Sequence, residues 1–108
     1  MATFAQRYGP WAVVAGASEG LGEAIARGCA SRGLNVVLIA RRIERAQKLA
    51  DDIAAGTGVR TRALRADLAN RDDLDRILAE LADLDVGLLI YNAAVSYTHL
   101  TLPTILRV

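Results

Sequence analysis

Short apolar runs alternate with longer amphipathic stretches over the first 91 residues of the chain. Residues 11–16 (WAVVAG), 35–40 (NVVLIA) and 86–91 (VGLLIY) are nearly continuous apolar runs, which is typical of strands that are buried on both faces of a sheet. Residues 59–66 (VRTRALRA) instead alternate polar and apolar positions, which indicates a strand at the edge of the sheet. The pattern therefore predicts four strands.

The stretches between these strands carry apolar residues at the spacing of amphipathic helices. The first helix is predicted to begin near Gly20 and to stop at Gly33, the second to end at Gly56, and the third to begin after an N-cap at Asn70. The predicted buried stripes are Leu21, Ala24, Ile25, Gly28 and Cys29 in the first helix, Ile43, Ala46, Leu49, Ala50 and Ile53 in the second, and Leu74, Ile77, Leu78 and Leu81 in the third.

The order of these elements predicts the fold class. Strands and helices alternate as β-α-β-α-β-α-β, so successive strands are joined by helical crossovers and are expected to run parallel. Helices on both faces of such a sheet give an α/β Rossmann-type, doubly wound half domain with strand order 3-2-1-4. The arginine-bearing third strand then lies at the edge. We expect residues 1–94 to form this single domain.

Composition narrows the possible functions. The 108-residue chain has a formal net charge of +1, one cysteine and no apolar run near the roughly 18 residues that a membrane-spanning helix needs. This charge gives no electrostatic basis for binding nucleic acid or an anionic membrane, and a single cysteine suits a reducing compartment. The N-terminus lacks the basic start and apolar run of a signal peptide. We therefore expect a soluble, cytoplasmic protein.

A glycine-rich turn joins the first predicted strand to the first helix. Gly16, Gly20 and Gly22 are spaced G-x-x-x-G-x-G within the sequence AGASEGLG. Glycine lets a backbone approach a ligand where a Cβ atom would collide, and the N-terminus of a helix attracts a pyrophosphate. Ser18 offers an additional hydroxyl hydrogen bond. The alternative is that the glycines only form a tight turn.

Polar residues follow the other three predicted strands, at the positions where open α/β sheets bind ligands. The guanidinium groups of Arg41 and Arg42 match a ribose 2′-phosphate better than a 2′-hydroxyl, unless they only form the solvated start of a helix. Asp67 is placed either to accept a hydrogen bond from an adenine amino group or to cap the next helix. Asn92 either bridges strand backbones at the cofactor cleft or forms a turn.

Together these motifs resemble the short-chain dehydrogenase/reductase family over about residues 11–94. AGASEGLG resembles its T-G-x-x-x-G-[IL]-G motif with Ala15 in place of threonine, ADLAN its Asp-Val/Leu element, and YNAA its N-N-A-G element with Tyr91 and Ala94 departing. The resemblance implies a nicotinamide dinucleotide cofactor. The binding residues that it implies are Gly16, Ser18, Gly20, Leu21, Gly22, Arg41, Arg42, Asp67, Leu68, Asn92 and Ala93.

Residues near the predicted ribose site bear on the choice of cofactor. Arg41 and Arg42 favour NADP over NAD, and Arg41 is the stronger candidate for the 2′-phosphate. Some members of the family also carry a basic residue just before the second glycine of the turn, where this chain has Glu19. The prediction of NADP therefore depends on the two arginines alone.

The resemblance also implies hydride transfer between NADP(H) and the carbonyl or alcohol carbon of a small-molecule substrate, in a full-length protein that forms a homo-oligomer. The family uses a serine and a Tyr-x-x-x-Lys pair, in which the tyrosine acts as acid and base. No tyrosine of this chain precedes a lysine by four places, since its only lysine is Lys48. We therefore expect no catalytic residues and no turnover in this chain.

Two other functions stay open. A non-catalytic nucleotide-binding module that is complete as it stands would also lack the Tyr-x-x-x-Lys pair. A relative with epimerase or dehydratase activity would carry a G-x-x-G-x-x-G turn, which GASEGLG does not match.

Residues 95–108 contain the only histidine, His99, beside Ser96 and Tyr97. The sequence VSYTHLTLPT at residues 95–104 resembles the translation of a transposase mosaic-end adapter that is used to prepare sequencing libraries. We therefore interpret residues 95–108 as a non-native tail without function. The alternative is a fifth strand or a loop. With such a tail, the fourth strand is expected to leave an apolar edge exposed and the chain to be poorly soluble.

Overall fold

The computed structural model describes residues 9–16, 20–67, 69–91 and 104–107. Within these ranges, the predicted strands and helices are all present. The strands are β1 (Trp11–Ala15), β2 (Asn35–Ala40), β3 (Thr61–Arg65), β4 (Val86–Tyr91) and β5 (Thr104–Arg107), and the helices are α1 (Gly20–Ser31), α2 (Ile43–Thr57) and α3 (Arg71–Leu81).

The strands form one sheet in the order β3-β2-β1-β4-β5. The pairs β3–β2, β2–β1 and β1–β4 are parallel, which confirms the predicted α/β fold class and the strand order 3-2-1-4 of a Rossmann-type half domain. The residues of β3 are partly or fully exposed, whereas nearly all residues of β1 and β2 are buried. The alternating sequence of β3 therefore correctly predicted an edge strand.

β5 corrects the expectation that β4 has an exposed edge. It pairs with β4 in the antiparallel direction, with Leu88 opposite Arg107 and Tyr91 opposite Thr104. The backbone groups of β4 on that side are thus hydrogen-bonded to a neighbour. These residues belong to the segment that we interpret as an adapter-derived tail. Because an open strand edge pairs with any extended segment, the pairing does not test that interpretation, which remains a prediction.

The core lies on both faces of the sheet. Alternate residues of β1 point in opposite directions, so Ala12 and Val14 pack in the core that includes α1 and α2, while Val13 and Ala15 pack in the core that includes Ile77 of α3. All four strand residues are at most 2% exposed. Burial on both faces explains why β1 has a continuous apolar sequence instead of an alternating one.

α1 is rotated relative to its predicted apolar stripe. Its buried residues are Gly22, Ala26, Cys29 and Ala30, whereas Leu21 is 49% exposed. Three of the four are glycine or alanine at a spacing of four residues, so the face that meets the sheet is flat and lets the helix pack closely. Of the predicted stripe, Cys29 is buried and Ile25 is partly buried against the same core, whereas the prediction missed the small residues Gly22, Ala26 and Ala30.

The buried stripe of α2 is confirmed, but its predicted end is wrong. The helix continues past Gly56 to Thr57, and Gly58 follows with a φ of +77°. The Gly58 N–H donates to the Ala54 carbonyl oxygen at 2.9 Å and closes the last turn. The left-handed cap therefore determines where the helix ends, and it falls at the second glycine of the segment. The buried residues are the predicted Ala46, Leu49, Ala50 and Ile53.

α3 packs on the sheet through fewer side chains than its sequence predicts. Within the predicted stripe only Ile77 is buried, at 2% exposure, while Leu74 is 39% exposed and Leu78 is 59% exposed. Leu81 is partly buried against the same core as Ile77. Among the described residues, α3 thus leaves part of its apolar surface open to solvent.

Polar contacts attach α3 to the end of β3. Asn70 is the N-cap, as predicted, and its side-chain oxygen accepts a hydrogen bond from the Asp73 N–H at 3.1 Å. The Arg76 guanidinium donates to the Arg65 carbonyl oxygen at 2.6 Å. The Asp73 carboxylate accepts a hydrogen bond from the Asp67 N–H at 2.9 Å. This hydrogen bond, helped by the nearby guanidinium groups and opposed by partial burial, holds the pKa of Asp73 below its ordinary value of 3.8.

Adjacent positions of α3 are expected to differ in their contribution to stability. Ile77→Ala should lower the free energy of unfolding by about 2–5 kcal/mol, because it removes a buried side chain and leaves a cavity. Leu78→Lys should change it by less than about 0.5 kcal/mol, because that side chain is already exposed. Urea unfolding followed by circular dichroism measures both changes. Similar losses in the two variants would contradict this packing.

Replacing Asp73 should change how stability depends on acidity. A carboxyl group with a lowered pKa in the folded state stabilises the fold above its ordinary pKa, and this contribution is lost as the pH falls through 3.8 towards the lowered value. Asp73→Asn should therefore flatten the loss of stability below about pH 5, while Asp72→Asn in the same helical turn should not. Urea unfolding at a series of pH values tests this; D73N and wild-type curves that stay parallel would refute it.

Candidate functional site

The carboxyl ends of the parallel strands lie along one edge of the sheet. Ala15, at the end of β1, is the register partner of Ile39 in β2 and of Tyr91 in β4. Ala40, at the end of β2, is the partner of Arg65 in β3. The residues that follow these strands are therefore neighbours, at the edge where open α/β sheets bind their ligands.

The predicted cofactor-binding residues that the structure describes fall at three points along this edge: the turn after β1, the start of α2 and the loop after β3. They are Gly16, Gly20, Leu21, Gly22, Arg41, Arg42 and Asp67. The predictions for Ser18, Leu68, Asn92 and Ala93 lie outside the described residues, as do Ser96, Tyr97 and His99.

Gly16 turns the chain out of the sheet directly after β1. Its φ is +82°, in the left-handed region that favours glycine. Its N–H donates to the Ile39 carbonyl oxygen at 2.8 Å, which ties the turn to β2. The turn therefore begins from a fixed point, and α1 begins at Gly20 on its far side.

Gly20 and Gly22 are both in α1, but their surroundings differ. A Cβ atom built on Gly20 meets nothing within 4 Å, so no packing contact with a described residue requires glycine there. Gly22 is buried on the face of α1 that meets the sheet, and Leu21 between them is 49% exposed. The first N–H groups of a helix have no intrahelical partner. The N-terminus of α1 thus has space beside Gly20, at a helix start of the kind that binds anionic ligands.

Arginine side chains surround the start of α2. Arg41 and Arg42 are both exposed, and among the described residues neither guanidinium has an ion pair. Arg42 is the N-cap of α2, and no side chain accepts hydrogen bonds from the first turn of this helix at the cap. Arg45, which the sequence analysis overlooked, is also exposed in that turn, beside Glu44. Arg45 could have been found from its position three residues after the N-cap Arg42, because this spacing brings two side chains together at the start of a helix.

Asp67 lies in the loop between β3 and α3 and is half buried. Its Oδ1 atom accepts a hydrogen bond from the Ala69 N–H at 3.0 Å, and its carbonyl oxygen accepts one from the Asn70 N–H at 2.9 Å. The cap of α3 is Asn70, so the structure rejects the alternative that Asp67 is that cap. The Asp67 carboxylate is instead presented at the carboxyl edge of the sheet.

Asp73 is a second residue that the sequence analysis did not select for the site. An acidic residue in the first turn favours the N-terminus of a helix by its charge, and the Asp73 carboxylate in addition accepts a hydrogen bond from the Asp67 N–H at 2.9 Å. An acidic residue three places after an N-cap is the sequence signature of such a reach. The usual target is the N-cap backbone itself, so the signature alone does not identify Asp67 as the partner.

Cys29 is the only cysteine of the chain, and its side chain lies outside the candidate site. It is 5% exposed within the core between α1 and the sheet. Burial raises the pKa of its thiol, and the charge of Arg32 offsets this only in part. Cys29 is therefore a packing residue.

None of the described helices combines the length and the apolar character needed to cross a membrane.

Comparison with known proteins links this geometry to a family. The sequence profile of the short chain dehydrogenases matches residues 10–104. The chain is 42% identical over 92 residues to a very-long-chain 3-oxoacyl-CoA reductase of Anas platyrhynchos, covering 84% of the chain and 30% of the reductase. It is 43% identical over 95 residues to inactive hydroxysteroid dehydrogenase-like protein 1 of Homo sapiens, covering 87% of the chain and 29% of that protein.

A solved structure shows the same relationship in three dimensions. The short-chain dehydrogenase from Sphingobium yanoikuyae in complex with NADPH matches with a TM-score of 0.70 at 36% identity, over 74% of this chain and 32% of that one. The chain thus spans about 30% of the length of the curated relatives that it matches. With the glycine turn, the parallel sheet order and a profile match over residues 10–104, the chain belongs to the short chain dehydrogenase family.

Proposed function

We propose that this chain forms the cofactor-binding half of an NADP(H)-dependent short-chain oxidoreductase. The observation that carries the proposal is that the open N-terminus of α1 shares one sheet edge with the exposed guanidinium groups of Arg41 and Arg42. A dinucleotide has a pyrophosphate that fits a helix N-terminus, and NADP adds a 2′-phosphate that fits arginine. One molecule of NADP therefore accounts for both the open N-terminus of α1 and the exposed guanidinium groups.

The pyrophosphate is assigned to the start of α1. The space at Gly20 lets phosphate oxygens approach the first N–H groups of the helix, and the helix dipole places about half a positive charge there. Gly16, Leu21 and Gly22 shape the turn, and Ser18 supplies a hydroxyl donor. The Asp67 carboxylate accepts a hydrogen bond from the adenine amino group, with Leu68, Asn92 and Ala93 completing the site as the family resemblance implies.

The 2′-phosphate is assigned to Arg41 and Arg42. Both are exposed, and the first turn of α2 has no side-chain cap, so guanidinium and backbone donors at this point are available to an anion. Glu44 is the opposing charge in that turn. The NADPH complex of the Sphingobium yanoikuyae dehydrogenase supports the choice of NADP over NAD.

Hydride transfer is proposed for the longer protein and cofactor binding for this chain, because none of its tyrosines precedes a lysine by four places. The substrate is a small molecule with a carbonyl or alcohol group. The longer protein is proposed to be cytoplasmic and homo-oligomeric. The names of two relatives, a very-long-chain 3-oxoacyl-CoA reductase and a 7beta-hydroxysteroid dehydrogenase, support an apolar ketone or alcohol as the substrate class.

A non-catalytic nucleotide-binding module is the second candidate function. It is favoured by the similarity to inactive hydroxysteroid dehydrogenase-like protein 1, which is 43% identical over 95 residues. Resequencing the locus beyond Ala94 separates the two candidates. A downstream serine and Tyr-x-x-x-Lys pair supports the reductase, and their absence supports the binding module.

Two glycine-to-alanine substitutions should separate ligand approach from helix stability. Gly20→Ala and Gly56→Ala each add a methyl group that meets nothing within 4 Å in a helix. Both should leave the free energy of unfolding unchanged or raise it by up to about 1 kcal/mol. Only Gly20→Ala should weaken NADPH binding, by at least about tenfold, because its methyl group occupies the pyrophosphate site. Equal NADPH affinities in fluorescence titrations would refute the assignment.

Removal of Arg41 should lower affinity for NADPH but not for NADH. Loss of a charge-assisted hydrogen bond to the 2′-phosphate should weaken NADPH binding by on the order of 10- to 100-fold in Arg41→Ala. Lys48→Ala removes another exposed cation, further along α2, and should leave both affinities unchanged. Titrations with both cofactors measure the effect, and a parallel loss of NADH affinity in R41A would contradict it.

A further inference from the structure

The loop between β3 and α3 is closed by hydrogen bonds that two carboxylates accept from backbone N–H groups. Asp73 Oδ2 accepts from the Asp67 N–H at 2.9 Å, and Asp67 Oδ1 accepts from the Ala69 N–H at 3.0 Å. The Asp67 carbonyl oxygen accepts from the Asn70 N–H at 2.9 Å. Both backbone polar groups of Asp67 are thus engaged, which fixes the direction of its Cα–Cβ bond.

The Asp73 carboxylate is itself held from two directions. Arg76, one turn along α3, lies 3.6 Å from Oδ1, and Arg65, at the end of β3, lies 3.9 Å from Oδ2. The Asp73 side chain is 21% exposed, whereas those of Arg65 and Arg76 are 60% and 44% exposed. Ion pairs with such exposed partners contribute little by themselves. Their effect is to keep the Asp73 carboxylate oriented towards the Asp67 N–H.

We propose that Asp73 is a positioning residue of the dinucleotide site: its carboxylate holds the Asp67 backbone so that the Asp67 carboxylate faces the adenine amino group. This inference rests on the proposed function, in which Asp67 contacts adenine. Asp73 itself lies at the first turn of α3 and does not contact the ligand. Arg65 and Arg76 balance its negative charge, so a second carboxylate stands close to Asp67 without leaving the loop with two uncompensated charges.

The test compares NADPH with its hypoxanthine analogue, reduced nicotinamide hypoxanthine dinucleotide phosphate, in which an oxo group replaces the adenine amino group. The wild-type chain should prefer NADPH by on the order of tenfold, because the analogue gives Asp67 no amino donor. Asp73→Ala should abolish most of this preference. Asp73→Asn keeps an oxygen acceptor for the Asp67 N–H and should restore most of it. Asp72→Ala, at the adjacent exposed position of α3, is the matched control and should keep the full preference.

The outcomes distinguish this inference from the proposed function. If the wild-type chain binds neither dinucleotide, the proposed function fails and the inference fails with it. If it binds both equally, or if Asp73→Ala keeps the wild-type preference, the positioning role is refuted while dinucleotide binding stands. A uniform loss of affinity for both ligands in D73A would mark a merely structural role and would equally overturn the inference.

A spectroscopic measurement on the wild-type chain tests the same contact if D73A fails to fold. The Asp67 amide proton should shift with pH as the Asp73 carboxylate titrates below its ordinary pKa. The charged groups beside that carboxylate among the described residues are Arg65 and Arg76. The variant Asp67→Asn removes the residue's own carboxylate, so the shift of the amide proton at position 67 should persist in that variant and disappear when Asp73→Asn is added. An amide proton at position 67 that does not respond to pH in Asp67→Asn would refute the contact.

Discussion

Burial of β1 on both faces is the constraint on which the rest of the structure depends. Ala12 to Ala15 are at most 2% exposed, and β1 is paired on both sides, with β2 and with β4. Since those neighbours are parallel to β1 and keep a constant register with it from Ala12 to Ala15, their carboxyl ends are aligned by backbone hydrogen bonds. The glycine turn, the arginines and Asp67 come together because each follows one of these strands or the next one. The site is thus a product of strand register, and it needs few side-chain contacts of its own.

The sequence alone predicted the structure correctly where one local interaction determines it. Continuous apolar runs identified β1 and β2, and the helical spacing of Leu49 and Ile53 identified the buried face of α2. It was insufficient for α1, because the contact with the sheet selects small residues such as Ala26 over the more hydrophobic Leu21, and a hydrophobic pattern does not encode that preference. β5 was predicted only as the alternative to a non-native tail, because strand pairing at an open edge depends on the neighbouring strand and not on the residues of β5 alone.

The residues of the candidate site also divide into those that could be predicted from the sequence and those that could not. Gly16, Arg41 and Asp67 were located from their positions after strands, since parallel topology alone brings these positions together. Asp73 was not predicted as part of the site. Its contact with Asp67, six residues earlier in the sequence, depends on the path of the loop between β3 and α3. The cap at Asn70 was predictable, since an N-cap is a local interaction, but the partner of the carboxylate three residues later was not.

The weak attachment of α3 has a consequence for motion. This helix has one fully buried side chain, Ile77, and is otherwise held to the sheet by the partly buried Leu81, hydrogen bonds and ion pairs, while α1 and α2 each bury four residues. Sub-global opening of a protein begins where few apolar contacts must be broken. The amides of α3 should therefore exchange with solvent before those of β1 and β2. Under the proposed function, the adenine end of the site lies beside this helix, and a bound dinucleotide would clamp the helix that has the fewest buried residues.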